Sequence, residues 1–279
     1  PPPRTRFPGR LVLVTGGGGG IGRATALAFA CEGADVVLAD VDPDALADAA
    51  REIREAVRER AAVLATHRVD VADADAVRAL AEAVRAEHGV PDVVVNNAGV
   101  GAVGSVVDTG LDEWRRVVDV NLWGVVHGSR VFGGLLRERG EGGHVVNVAS
   151  MAAYLPNAIL PVYATTKAAV LSLTESLRAE LAGHGIGVSA VCPGFVATGI
   201  VESTVFAGAD ATESGRRRAR ARRLYGARNF PPSRVAEDIL RAVERDLPLV
   251  PSTPEAKVAL VLSRVAPGLV RAAARTRRP

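Results

Sequence analysis

Short runs of β-branched and aliphatic residues alternate along this chain with longer stretches rich in Ala, Arg and Glu, and that alternation constrains the fold more than any single motif. Residues 11–15, 35–40, 62–69, 93–96, 144–149 and 187–192 read as strands, with a short further strand expected over 248–251. The runs are apolar on both faces. Strands of that kind belong to a parallel sheet covered by helices on either side, so an α/β architecture with a doubly wound parallel sheet is expected. Right-handed crossovers then restrict its topology, and ligands would bind beyond the carboxyl ends of the strands. The 279 residues, 48% of them hydrophobic, suffice for one large core, and no linker-like stretch divides them, so a single domain over 1–279 is expected.

Charge and cysteine usage exclude several function classes. Lys and Arg number 34 against 31 Asp and Glu, interspersed rather than clustered, which gives no reason to expect nucleic-acid binding. Cys31 and Cys192 offer neither a disulfide framework nor metal-ligand spacing. The five histidines, His67, His88, His127, His144 and His184, contain no pair at i and i+4, so no metal is expected. The first residues lack an apolar signal region, and no apolar run reaches the roughly 18 to 20 residues of a membrane span. A soluble, cytoplasmic protein is the expectation, without membrane association.

Chemistry-bearing residues stand where strands should end. Thr15 opens a run of glycines, Gly16 to Gly20, followed by Ile21 and Gly22; taken alone it fits GxGxxG through Gly17, Gly19 and Gly22, or GxxxGxG through Gly16, Gly20 and Gly22. Such a turn, between a strand and a helix, lets bare backbone approach a pyrophosphate at the helix N-terminus. Asn96, Asn97, Ala98 and Gly99 follow the fourth strand, and Ser150 follows the fifth. Tyr163 and Lys167 share one face of a helix, placing a phenol beside an ammonium that favours the phenolate. Ser150 lies thirteen positions before Tyr163, and Asn121 lies within Asp119-Val-Asn-Leu-Trp123.

This ordered set resembles the short-chain dehydrogenase/reductase family, in its single-domain form with TGxxxGxG and YxxxK motifs, over residues 10 to 200 approximately. The later motifs favour the GxxxGxG register. The resemblance implies a Rossmann-type fold, with Asn121, Ser150, Tyr163 and Lys167 as the catalytic residues. Tyr163 would exchange a proton with the substrate oxygen, Lys167 would lower the tyrosine pKa and hold the nicotinamide ribose, Ser150 would hydrogen-bond the reacting oxygen, and Asn121 would hold a water joining Lys167 to solvent. Cofactor contacts are implied for Gly16, Gly20, Ile21, Gly22, Asp40, Asp70, Val71, Asn96, Ala98, Gly99, Tyr163, Lys167, Pro193, Gly194, Val196 and Thr198, whereas Asn97 is expected to brace the sheet. Asp40 ends the second strand, where a carboxylate accepts from ribose hydroxyls and repels a 2′-phosphate, so NAD is expected over NADP despite Arg23.

Residues 197–231 correspond to the family's substrate lid, and Phe195, Ile200, Val201, Val205, Phe206 and Leu224, with Tyr154, Leu155 and Ile159, are expected to make an apolar pocket. The six arginines between Arg216 and Arg223 read as a solvated lid helix in preference to an anion site. The tail, 254–279, is expected to be a helix interrupted at Pro267 and Gly268 and docked on this or a neighbouring subunit. Periodic stretches 111–138 and 163–182 resemble dimerising helices, implying a homotetramer or homodimer. The function so implied is an NAD-dependent oxidoreductase interconverting a small apolar secondary alcohol and its ketone. The alternative is a non-catalytic dinucleotide-binding regulatory or scaffold protein.

Overall fold

A computed structural model describes residues 5–57, 64–207, 211–228 and 230–276. Strands β1 (Leu11–Thr15), β2 (Asp35–Asp40) and β3 (Leu64–Arg68) alternate with helices α1 (Gly20–Cys31), α2 (Pro43–Ala56) and α3 (Ala74–His88). After β4 (Val93–Asn96) and a two-residue strand β5 (Ala102–Val103) come α4 (Leu111–Val118), a π-helical turn at Asp119–Trp123, and α5 (Gly124–Arg139). The sequence continues through β6 (Gly143–Val148), α6 (Pro161–Leu181), β7 (Ile186–Cys192) and a second short strand, β8 (Val205–Phe206). Helices α7 (Ala211–Arg228) and α8 (Pro232–Glu244), strand β9 (Leu249–Pro251), α9 (Pro254–Val265) and α10 (Pro267–Thr276) complete it.

Seven strands form one sheet in the order β3-β2-β1-β4-β6-β7-β9, every pairing parallel. This is the doubly wound Rossmann-like architecture that the apolar runs imply. Alternate residues of β1 serve opposite faces: Val12 and Val14 join Phe29, Leu38, Ile53 and Ile239 in one core, while Leu11 and Leu13 join Val37, Leu80, Val84 and Phe132 in the other. Fully burying a side chain of this size stabilises by about 1.5–3 kcal/mol, so neither face of the sheet tolerates a polar strand residue without a partner.

Helix starts follow local chemistry. Asp42 accepts from the Asp44 and Ala45 amides ahead of Pro43, Asp73 accepts from Asp75 and Ala76, and Thr253 accepts from Ala256 ahead of Pro254. The tail breaks where Pro267 and Gly268 stand: α9 ends at Val265 and α10 begins at Pro267. The pairing of β5 with β8 was not legible in the sequence, because each is only two residues long and draws its stability from the neighbouring segments.

At the amino end of the sheet, remote from the strand ends that carry the motifs, His144 is buried in β6. Its Nε2 lies 2.8 Å from Ser189 Oγ, and Ser189 donates to the Leu247 carbonyl at 2.6 Å, so Nε2 carries the hydrogen. Burial pushes the imidazole down to about 4, against the attraction of Asp246, which Arg178 holds in a two-pronged pair at 2.7 Å. A histidine kept neutral in the fold but free to protonate near 6.5 when unfolded contributes stability above that pH, and the contribution is lost as pH falls towards 4. Linkage puts the loss at about 2 kcal/mol between pH 7.5 and pH 5. His144→Gln, which can still donate to Ser189, is expected to shrink the pH 7.5-to-5 difference in urea-unfolding free energy by about that amount; an undiminished difference would assign the acid lability elsewhere.

Candidate active site

The site begins at the turn between β1 and α1. Gly16 has φ of +64°, a conformation strained for any other residue. A Cβ on Gly22 would run into the Gly16 carbonyl and the Asn97 side-chain amide, so the first turn of α1 can lie this close to the turn only as glycine. Gly20 also has positive φ and lies against Thr198, whereas a Cβ on Gly19 would meet nothing within 4 Å. Positive φ thus falls on Gly16 and Gly20 and the tightest crowding on Gly22, with Gly18 also close packed, since a Cβ there would stand 2.8 Å from Ala45 Cβ. Helix α1 has Gly19 as its N-cap, with no side-chain cap and no acidic residue in its first turn. Its leading amides, beside Ile21, and its positive dipole end suit the pyrophosphate of a dinucleotide. Beneath the turn, Asp40 accepts from the Gly18 amide at 2.9 Å and the Asp42 amide at 3.1 Å.

Across the sheet, Thr15 Oγ1 accepts from the amides of Asn97 (3.0 Å) and Ala98 (3.3 Å), and Asn97 Nδ2 donates to the carbonyls of Thr15 (3.0 Å) and Gly16 (3.2 Å). Asn97 thus braces the sheet as expected. The Asn96 side chain also turns inward, donating to Asn147 Oδ1 at 2.8 Å and Ser129 Oγ at 3.3 Å, which leaves its main chain to face any ligand. Gly99 passes beside Lys167: a Cβ there would stand 3.5 Å from Nζ and 3.2 Å from Asn121 Oδ1. Beyond β3, Asp70 closes a turn onto the Ala72 amide, and Val71 is buried against Gly124 with its carbonyl 3.0 Å from His127 Nδ1.

Helix α6 carries Tyr163 and Lys167 to the same end of the sheet. The Lys167 ammonium is buried, donates to the Val148 carbonyl at 2.8 Å and lies 5.8 Å from the Tyr163 ring centroid. Burial pushes it down to about 8, so it remains charged near neutral pH. Asn121 sits in the π-helical turn, fully buried; its Oδ1 accepts from Val100 N, and its Nδ2 donates to the Val100 carbonyl and Thr166 Oγ1. Both amide hydrogens are used, so a water bridging to Lys167 would have to be held by other groups of this residue. Ser150 follows β6, caps the short turn Met151–Tyr154 by accepting from Ala152, and places Oγ 3.4 Å from the Pro193 carbonyl.

The segment after β7 closes over this edge. Val196 is buried, Thr198 lies over Gly20, and Gly194 is pressed against Thr253 and Glu255. Glu255 accepts the Phe195 amide at 2.9 Å; no sequence motif marked it, since the contact spans 60 positions. Tyr154 does not line a substrate pocket as expected: it packs with Val170, Ala190 and Cys192 between α6 and the sheet, and burial raises its pKa far above the phenol range. Cys192 is pushed up to about 11 by burial, a packed thiol. In α7, Arg218 reaches the Val201 carbonyl and stacks on Phe206 and Arg222 pairs with Glu202, so two arginines of the basic run tie the helix to the preceding segment, while Arg217 pairs with Glu213 within the helix. The side chain of Leu224 lies outside the described residues. An open cavity of about 570 Å³ between α1, α7 and α8 touches the site at Gly20 and Thr198 and is lined by one of the residues expected in the apolar pocket, Val201, and Arg23 on its wall pairs with Glu52. Among the described residues no helix is long and apolar enough to cross a membrane, and no cluster of three His, Cys, Asp or Glu could hold a metal.

Comparison with known proteins places this geometry in context. The short chain dehydrogenase family model matches residues 10–206. The chain is 47% identical over 277 residues to a probable oxidoreductase EphD of Mycobacterium tuberculosis, covering 99% of this chain but 46% of that protein, so it spans about half the length of that relative. It is 42% identical over 195 residues to 1-deoxy-11-beta-hydroxypentalenate dehydrogenase of Streptomyces exfoliatus, covering 69% of this chain and 70% of the relative. A short-chain dehydrogenase/reductase from Burkholderia phymatum, solved in complex with NAD, superposes with a TM-score of 0.86 at 31% identity over 98% of both chains. A glycine turn at an uncapped helix end and a buried lysine beside a tyrosine on α6, at the carboxyl edge of a parallel sheet, agree with that match: the chain belongs to the short-chain dehydrogenase/reductase family of nicotinamide-dinucleotide-dependent oxidoreductases.

Proposed function

We propose that this chain is an NAD-dependent dehydrogenase interconverting an apolar secondary alcohol and its ketone, with Tyr163 as acid and base. The observation that carries the proposal is the buried Lys167 ammonium 5.8 Å from the Tyr163 ring, on the strand-end edge where Ser150 and the glycine turn also lie. A fixed cation at that range stabilises negative charge on the phenolic oxygen as its proton is transferred. The cofactor, when bound, supplies the hydride acceptor or donor. Gly16, Gly20, Ile21 and Gly22 would hold its pyrophosphate, with Asp70 and Val71 at the adenine, Asn96, Ala98 and Gly99 along the cofactor, and Pro193, Gly194, Val196 and Thr198 beside the nicotinamide. Tyr163 takes the hydroxyl proton in oxidation and returns it in reduction. Ser150 donates to the reacting oxygen; its hydrogen rests on the Pro193 carbonyl at 3.4 Å, a long and easily exchanged bond. Asn121 fixes the Val100 main chain next to Lys167.

The cofactor preference rests on Asp40. Its carboxylate, held by the Gly18 amide, puts negative charge where a 2′-phosphate would have to sit, and Arg23 is committed to Glu52. The Burkholderia phymatum relative holds NAD, which supports the same reading by likeness. Val100 and Trp114, partly buried like Tyr163, pack with it against the Ala102, Val117 and Val162 cluster, which supports an apolar substrate. The Streptomyces exfoliatus relative is named for oxidation of a hydroxyl-bearing compound, in keeping with alcohol chemistry.

Two measurements test this. Tyr163→Phe is expected to lower kcat for alcohol oxidation by roughly a hundredfold or more, while the dissociation constant for NAD, from calorimetry, stays near that of the parent; NAD binding without turnover in the parent chain over a broad alcohol panel would instead support a regulatory protein. Asp40→Ser is expected to narrow an NAD-over-NADP preference in kcat/KM by about tenfold, equivalent to about 1.4 kcal/mol, and a parent chain that prefers NADP would overturn the assignment.

A further inference from the structure

The chain after β7 is held from both sides. Towards the sheet, the Pro193 carbonyl accepts the Met151 amide at 2.9 Å and the Ser150 hydroxyl at 3.4 Å. On the other side, the Phe195 amide donates to Glu255 Oε1 at 2.9 Å. Gly194 lies between, pressed so closely on the Thr253 hydroxyl and the Glu255 carboxylate that a Cβ would overlap both. Glu255 stands in the first turn of α9, where the helix dipole favours a carboxylate, and Thr253 caps that helix by accepting from Ala256. The acceptor is therefore mounted on a fixed helix end. The same helix packs on the Met151–Tyr154 turn that follows Ser150, so α9 touches both segments that aim the serine.

We propose that Glu255 is a positioning residue for Ser150. By holding the Phe195 amide it sets the pitch of the Pro193–Phe195 turn, and with it the Pro193 carbonyl on which the Ser150 hydroxyl rests. That placement keeps the serine hydrogen loosely held, aimed along the strand-end edge and available to a substrate oxygen. The inference rests on the dehydrogenase reading above and deepens it: a carboxylate outside every recognisable motif governs how the hydroxyl is presented.

The test compares Glu255→Ala with Glu255→Gln, whose Oε1 can still accept from Phe195. In the cofactor-free protein, hydrogen-exchange mass spectrometry of peptides spanning 149–153 and 193–197 is expected to show about tenfold faster exchange in Glu255→Ala, the scale of one lost hydrogen bond to a charged group. Glu255→Gln should exchange like the parent. In turnover, Glu255→Ala should lose about tenfold in kcat with a smaller change in the KM for alcohol, and Glu255→Gln should recover most of it. Exchange and kcat unchanged in Glu255→Ala would overturn the inference, as would an equal loss in both variants or faster exchange spread over the whole sheet. Because exchange is read without turnover, a parent chain inactive on every alcohol would sink the dehydrogenase reading while the exchange still decides whether Glu255 holds the turn. If Tyr163→Phe abolishes turnover and Glu255→Ala leaves it intact, only the positioning role fails.

Discussion

The close approach of the β1–α1 turn to the end of β4 is the constraint on which the rest of the site depends. Gly16, Gly22 and Asn97 occupy almost the same space, and the Thr15 hydroxyl accepts two amides from the neighbouring strand end. This arrangement costs side chains and chain entropy, because glycine loses more freedom on folding than any other residue. In return, α1 starts without a cap directly over the strand ends, and its amides are left for a ligand. Any side chain at Gly22 would push α1 away from the sheet and separate its uncapped end from the residues of α6.

A second layer of order lies beneath. Asn96, Ser129, Asn147 and Thr174 form a buried hydrogen-bonded group linking β4, α5, β6 and α6. Polar groups in such a place are costly unless paired; apart from Asn96 Oδ1, which is buried without a partner, the side chains of this group pair with one another and so favour one register. The group lies behind the segment that carries Tyr163 and Lys167, so helix and strands hold a fixed relation where the proton chemistry is proposed. Lys167 is in the same position: burial disfavours its charge, and the Val148 carbonyl and the nearby phenol ring offset part of that cost. A residue kept charged at such expense favours function over stability.

Some readings from sequence failed for identifiable reasons. Tyr154 stood among residues expected in the pocket, yet its ring fills space beside Cys192, because the short turn after Ser150 points it back towards the sheet and linear order carries no sign of that direction. The direction of the Asn96 side chain was not legible either: it serves the buried network through Ser129 and Asn147, 33 and 51 positions away, and leaves only the main chain of Asn96 for the cofactor contact proposed there. The arginines of α7 showed as a charge run, but only the fold separates Arg218, on the Val201 carbonyl, and Arg222, on Glu202, from their neighbours.

Hydrophobic runs apolar on both faces, the capping residues ahead of α2, α3 and α9, the glycine run and the spacing of Ser150, Tyr163 and Lys167 are local properties. The sequence by itself therefore determined the parallel α/β sheet, the order of its elements and the edge at which the candidate residues gather, since strand period, helix caps and right-handed crossovers act over short stretches of chain. Tertiary structure alone decided which glycines bear the strained and crowded positions, where the Asn96 and Asn121 amides point, the pairing of β5 with β8, and the arrival of Glu255 at the Phe195 amide. Each of these is a contact between segments distant in the chain, and its energy depends on three-dimensional packing that no local pattern encodes.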